Sequence, residues 1–393
     1  MHMKRRTKRN VLIVIVAVLV IVIISAWSYL WREIPQPGWI TADERSNFLY
    51  GSVGAEREAG IPYWIWLALP RMFPEYMPGN GGYVSLGFSW EEGKEMPAGF
   101  SKKTVGYVRV AGNCALCHAA SFRSGPDEGP EVLPTVPGRA TDVQGLLTFF
   151  QECAQDPRFN PTEIMAEINS ATKLPLIDSL LYRFVLIPRT RRKLLSQNLV
   201  MIDSALQRHR RDPYSEAPFS HPQLKALAGW VEGFKVQPYP LEWDRALLEA
   251  GKPLFAQHCG SCHAPDGKQR GMLVPIAEIG TDRELANTQK ASGYVADVLD
   301  GIWMRGPYLH NGSVPTVGDL LKPPAQRPAT FYRGNNLLKN HDIGFVSDLA
   351  QEKGLHFVFF DTRLPGNSNA GHLYGTELSD QEKKAIVEYL KTL

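Results

Sequence analysis

Cysteine and histidine are both scarce here, at 5 and 10 of 393 residues, so a motif built from them stands well above what composition alone would produce. Charge of one sign is missing too. Lys and Arg number 43 against 40 Asp and Glu, a balance that removes any case for a nucleic-acid partner. Lys4, Arg5, Arg6, Lys8 and Arg9 supply the whole formal excess of +3, which leaves the remainder close to neutral. No internal sequence repeat survives. Turn-forming residues are plentiful, with 34 Gly and 29 Pro, and a hydrophobic content of 44% is enough for a core.

Four of the five cysteines fall in two pentapeptides, Cys114-Ala-Leu-Cys117-His118 and Cys259-Gly-Ser-Cys262-His263. Each is C-x-x-C-H, the attachment signal for a c-type haem, in which both thiols form thioethers to the porphyrin and the adjacent His binds the iron. One helical turn ending in His presents both sulfurs to the ring edge and brings the imidazole under the metal. A redox dithiol, a four-ligand zinc site and structural disulfides compete with this. A dithiol, however, needs no His directly after it, and zinc ribbons need none at both sites. Two covalently bound haem c groups are expected, held by Cys114, Cys117 and His118 and by Cys259, Cys262 and His263. Cys153 lies among Leu146, Leu147, Phe149 and Phe150 and is expected to be a buried thiol.

The N-terminal basic residues precede an uninterrupted apolar run from Val11 to Ser25 that continues through Trp27, Tyr29 and Trp31. Some twenty residues are enough to span a hydrocarbon core of roughly 30 Å, and the basic flank marks the cytoplasmic side. A cleavable signal peptide is the rival, but no clean small-x-small site follows. The sequence thus predicts a single-pass protein of the bacterial inner membrane with its C-terminal domains in the periplasm, where covalent haem attachment takes place.

The expected architecture is mainly α, with two cytochrome-c-like haem domains and long irregular loops behind one transmembrane helix. Residues 1–10 form a cytoplasmic basic tail, 11–31 the anchor, 32–59 a stalk, 60–235 an N-terminal haem domain and 236–393 a C-terminal one. From Gly60 to Gly99 aromatic residues, Pro and Gly crowd together, which argues against long helices and for irregular segments or strand fragments. Helical spacing follows at 142–150, 161–170, 177–186 and 190–208. Trp243 to His258 predicts a helix entering the second pentapeptide. Ser379 with Glu382 forms a capping box for a last helix that carries Ile386, Tyr389, Leu390 and Leu393 on one stripe. These two helices resemble the pair that crosses in class I cytochrome c, and Gly251 would permit the close approach.

The sixth iron ligand decides function, because a six-coordinate haem passes electrons whereas an open one binds O2 or peroxide. After His263 the candidates are Met272, Met304, His310, His341, His356 and His372. The Gly- and Pro-rich segment from Trp303 to Pro315 frames His310 best, with Met304 as the alternative; Met272 is too close to His263 to reach over the ring. For the first haem, Met165 and Met201 sit on apolar helical faces, His209 lies in a basic run, and His221 has no comparable frame. That makes the first haem the candidate open site, although no acid such as Glu128, Glu131 or Asp142 can be singled out to move a peroxide proton.

The two pentapeptides, with Pro307-Tyr-Leu-His310-Asn-Gly-Ser-Val-Pro315 and Leu364-Pro-Gly-Asn-Ser-Asn-Ala-Gly-His372, resemble the di-haem cytochrome c peroxidase superfamily, and within it the rubber-oxygenase-like branch. The resemblance implies that one haem is the reaction centre and the other an electron relay. Residue by residue, it makes His118 and His263 proximal ligands, His310 the distal ligand of the second haem, and the first haem the O2 or peroxide site. This chain is much shorter than the rubber oxygenases, which puts polymer cleavage in doubt. Three functions remain open at this point. One is a tethered di-haem cytochrome passing electrons between periplasmic or membrane redox proteins, with Trp230, Trp243 or Trp303 as relays. The second is a haem peroxidase or oxygenase working at the first haem, and the third is a haem subunit of a larger redox complex.

Overall fold

The computed structural model describes residues 13–18, 20–21, 24–25, 28–29, 32–34, 43–138, 140–196, 222–284, 287, 292–296 and 299–393. The basic tail 1–10 and the candidates Met201, His209 and His221 lie outside them. Two expectations are corrected. Among the described residues no helix is long and apolar enough to cross a membrane, so the transmembrane anchor at 11–31 and the single-pass inner-membrane location are overturned. An apolar composition is not sufficient for a helical span, which needs about twenty apolar residues in one continuous helix. Among the described residues the fold is also mixed rather than mainly α, at 42% helix and 15% strand with several sheets.

The strands were hidden by their brevity. Phe100–Val105 and Tyr107–Gly112 form a tight antiparallel hairpin in which Val105 pairs with Tyr107 around Gly106. Gly106 takes a φ of 75°, a left-handed conformation open to glycine at little cost. Glu33–Ile34 and Ile61–Pro62 flank this hairpin to complete a four-stranded sheet. Ala119–Phe122, directly after the first pentapeptide, pairs with Glu131–Pro134. The aromatic stretch after Gly60 does contain a helix, Tyr63–Met72, with proline only at its cap and in its last turn. Its buried face, Ile65, Trp66 and Leu69, meets Tyr83, Phe149 and Ile164 in one core.

The expected helical segments appear as Val143–Gln155, Pro161–Ala171 and Leu176–Leu181, the last continuing through a π-turn into Ile187–Ser196, while 197–208 of the fourth expected segment lie outside the described residues. Towards the C-terminus, Arg245–His258 is capped by the Asp244 carboxylate and Asp380–Leu390 by the Ser379–Glu382 box. They cross at Gly251, where a Cβ would lie 1.9 Å from the Ala385 carbonyl oxygen. A second core contains Phe255, Trp303, Ile343 and Ile386, and Phe122 and Leu133 from the strands behind the first pentapeptide, with Val136 just after them, pack into it. Arg123 reinforces that junction: its backbone N–H donates to Asn336 O at 2.7 Å, and its side chain bonds Asn335, Asn336 and Glu352.

Candidate haem sites

Both pentapeptides close one helical turn, and they do so by the same bond. His118 N–H donates to the Cys114 carbonyl at 3.1 Å, and His263 N–H donates to the Cys259 carbonyl at 3.0 Å. Each turn therefore carries its two thiols and its imidazole as one unit. All five cysteines are free thiols. Among the described residues no group of three or more His, Cys, Asp or Glu side chains converges as a metal cage would require, which weighs against a zinc site.

The second turn forms one wall of a cavity of about 350 Å³. Cys259, Cys262 and His263 line it on one side, with Val274, Ile279, Val295 and Leu309 as apolar lining and His310 and His372 reaching it from two loops. Burial pushes the Cys259 thiol up to about 11, with the neighbouring Cys262 adding to the rise. His372 is driven down to about 4, first by burial and then by His263, which leaves it a neutral imidazole at pH 7. Its Nδ1 is buried with no hydrogen-bond partner among the described residues. The ring centres of His263 and His372 stand 6.4 Å apart. Two imidazoles sharing one metal from opposite sides, each bonded at about 2 Å, have ring centres separated by about 6 Å. An apolar slot with two thiols, a proximal His and a facing His thus fits a covalently held haem.

His310 is held differently. Its Nδ1 lies 3.0 Å from the Thr281 hydroxyl, and its ring stacks on Tyr294 at 4.6 Å. Met304 is buried in the core beside Trp303 and is not among the cavity-lining residues. Met272, His341 and His356 are exposed. Sequence reasoning included His372 and ranked His310 above it on the Gly- and Pro-rich frame of 303–315. It passed over Arg327 entirely, although this guanidinium is only 4% exposed. Burial brings Arg327 down to about 10, still charged at neutral pH.

The first turn sits against different elements. Asn113 caps it by accepting from Ala115 N–H at 2.9 Å, and donates from Nδ2 to Leu49 O and Gly51 O at the end of the helix Glu44–Tyr50. At Gly99 a Cβ would meet Leu116 Cα at 2.5 Å, so the hairpin approaches the turn too closely for any side chain. Phe48, Leu49, Ala115, Ala119, Val132 and Leu227 form a small cluster around it, with Trp230 packed alongside. Cys114 and His118 are exposed and Cys117 half-buried. Glu128 and Glu131 are exposed, while Asp142 accepts from Gly145 N–H at 2.7 Å as a helix cap. Met165 and Cys153 are core residues, as their apolar neighbours implied. Of the three tryptophans considered as relays, Trp303 is fully buried and meets Phe122 edge-on at 5.1 Å, Trp230 stands 5.6 Å from Phe48, and Trp243 is exposed.

A family model described as RoxA-like, cytochrome c-like matches residues 293–332, the stretch that carries Tyr294, His310 and Arg327. The match supports a cytochrome c, rubber-oxygenase-like relation without singling out the di-haem peroxidase branch. A cytochrome c-like region of this kind implies covalently bound haem c and a c-type cytochrome role. Two proteins of Sinorhizobium fredii are similar. Uncharacterized protein y4iJ is 43% identical over 126 residues, covering 28% of this chain and 20% of the relative. Uncharacterized protein y4iM is 28% identical over 233 residues, covering 42% of this chain and 53% of the relative. The chain thus spans from a fifth to about half of the length of these relatives.

Proposed function

We propose that this protein is a di-haem c-type cytochrome that transfers electrons between redox partners, with haem held at Cys114, Cys117 and His118 and at Cys259, Cys262 and His263. The observation that carries the reading is that His263 and His372 line the same cavity with ring centres 6.4 Å apart. In this reading His372, rather than His310 or Met304, caps the second iron. Haem held by Cys259, Cys262, His263 and His372 would supply one-electron transfer rather than O2 or peroxide chemistry. His310, tied to Thr281 and stacked on Tyr294, shapes the cavity edge. The buried contact between Phe122, four residues after His118, and Trp303 supports a route for electrons between the two sites. The partner on this reading is another redox protein.

The relation to the rubber-oxygenase-like model favours one further reading, in which the first haem activates O2 or peroxide and the second relays electrons to it. The two are separated by reducing the protein anaerobically and adding CO, then H2O2 or O2. A carrier gives no CO shift and no catalytic turnover. CO uptake at one haem with sustained turnover of either oxidant establishes the second reading instead.

A further inference from the structure

His372 stands at the end of segment 364–372, which has no helix or strand to fix it. Its own backbone is left-handed, with φ at 49°, a conformation that costs a residue with a Cβ and persists only when its surroundings impose it. The imposed contacts are identifiable. His372 N–H donates to Ile279 O at 2.8 Å. The Asn311 amide, next to His310, donates to Gly366 O and Ser368 O at 3.0 Å each. The largest contribution is from Arg327. Nη1 donates to Asn369 O and, at 2.9 Å, to Gly371 O, and Nη2 donates to His372 O at 3.2 Å. Its remaining bonds go to Leu320 O at 3.1 Å and Lys322 O at 2.9 Å, which anchor the guanidinium to the short helix Val317–Leu320 and the turn after it.

A buried cation is costly unless its donors are satisfied, and among the described residues Arg327 has no salt-bridge partner; five carbonyl oxygens satisfy it instead. A planar fork with five N–H donors matches that arrangement, whereas the three donors of an ammonium on a flexible stem do not. We propose that Arg327 is the positioning residue for His372: its guanidinium holds the 369–372 backbone in the left-handed turn that faces the imidazole toward His263 across the cavity. This rests on the reading of His372 as the ligand that caps the second haem. A residue that only stapled the loop would lower the melting temperature on removal and leave the iron's ligands unchanged.

The test uses the full chain with its haems attached. Optical and low-temperature EPR spectra are recorded for wild type, Arg327→Gln, Arg327→Lys and His372→Ala, with and without added imidazole. Arg327→Gln is expected to convert one haem from low to high spin, and free imidazole is expected to restore the low-spin signal, as it should for His372→Ala. Arg327→Lys is expected to show the same conversion in part, because the charge remains but the fork is lost. Wild-type spectra in Arg327→Gln, with only a lower melting temperature, overturn the proposal. If that variant does not fold, wild-type spectra in Arg327→Lys overturn it equally. Wild-type spectra in His372→Ala show instead that the ligand reading beneath it is wrong, and the proposal falls with it.

Discussion

The two pentapeptides make the same helical turn in unlike surroundings. The second directly follows a helix of 14 residues that crosses the last helix at Gly251, so its position is set by two long elements and one glycine contact. The first is held by a hairpin, a capping asparagine and a small apolar cluster drawn from several short segments. The second turn faces a cavity that His258, His310 and His372 also line, while Cys114 and His118 of the first turn are exposed residues. The C-x-x-C-H motif therefore specifies the local turn, and the elements around it determine what surrounds each pair of thiols and its imidazole. The strands behind the first turn also join the second core, so the two sites are mechanically linked.

The largest effect should come from removing the attachment residues. Cys114→Ala with Cys117→Ala, and separately Cys259→Ala with Cys262→Ala, should each reduce the haem that survives denaturation by one per chain, read from intact mass. An unchanged mass for either pair would remove that pentapeptide from the haem sites. Next is Gly251→Val. Its side chain has nowhere to go against Ala385 O, and forced overpacking costs about 1–3 kcal/mol or more. The spectrum of the second haem should change while that of the first does not. A change in both would mean that the helix crossing supports the two sites alike.

Phe122→Ala tests the link between the sites. It empties space against fully buried Trp303 and should destabilise the chain by about 3–5 kcal/mol, slowing electron exchange between the haems in flash-photolysis or stopped-flow traces. An unaltered exchange rate would take Trp303 off the route. The smallest effect concerns Glu91, which accepts from Arg45 and from the Tyr50 hydroxyl at 2.7 Å beside the first site. Burial alone would raise its carboxyl. The hydrogen bonds from Arg45 and Tyr50, with the Arg45 and Lys94 charges, outweigh that and hold it below the ordinary value. Its contribution of at most about 1 kcal/mol is thus present above the unfolded carboxylate pKa, near 4.3, and lost as pH falls through the lower folded value. Glu91→Gln should flatten the acid limb of the stability curve, and an unchanged acid limb would show that the pair adds nothing.

Legibility followed the same contrast. Arg245–His258 and Asp380–Leu390 were readable because apolar spacing, an N-cap and a capping box all pointed to helix, and Gly251 marked their crossing. Both C-x-x-C-H turns were readable because the residues that close each one are adjacent in sequence. The hairpin Phe100–Val105 and Tyr107–Gly112 was not, since strands of six residues that bury part of each face leave little alternation. The N-terminal apolar run has the composition of a span, but among the described residues no helix of the necessary length forms. His372 was visible only as one of several candidates. Its place depends on Arg327, 45 residues away in sequence, holding its carbonyl, and no local pattern encodes such a contact.

Low-temperature EPR of the oxidised protein beside its His372→Ala variant tests the central claim most directly. The account predicts a low-spin signal in the wild type that His372→Ala replaces with a high-spin one, with both haems still covalently attached. A low-spin signal that survives the substitution would place another residue on the second iron and contradict it.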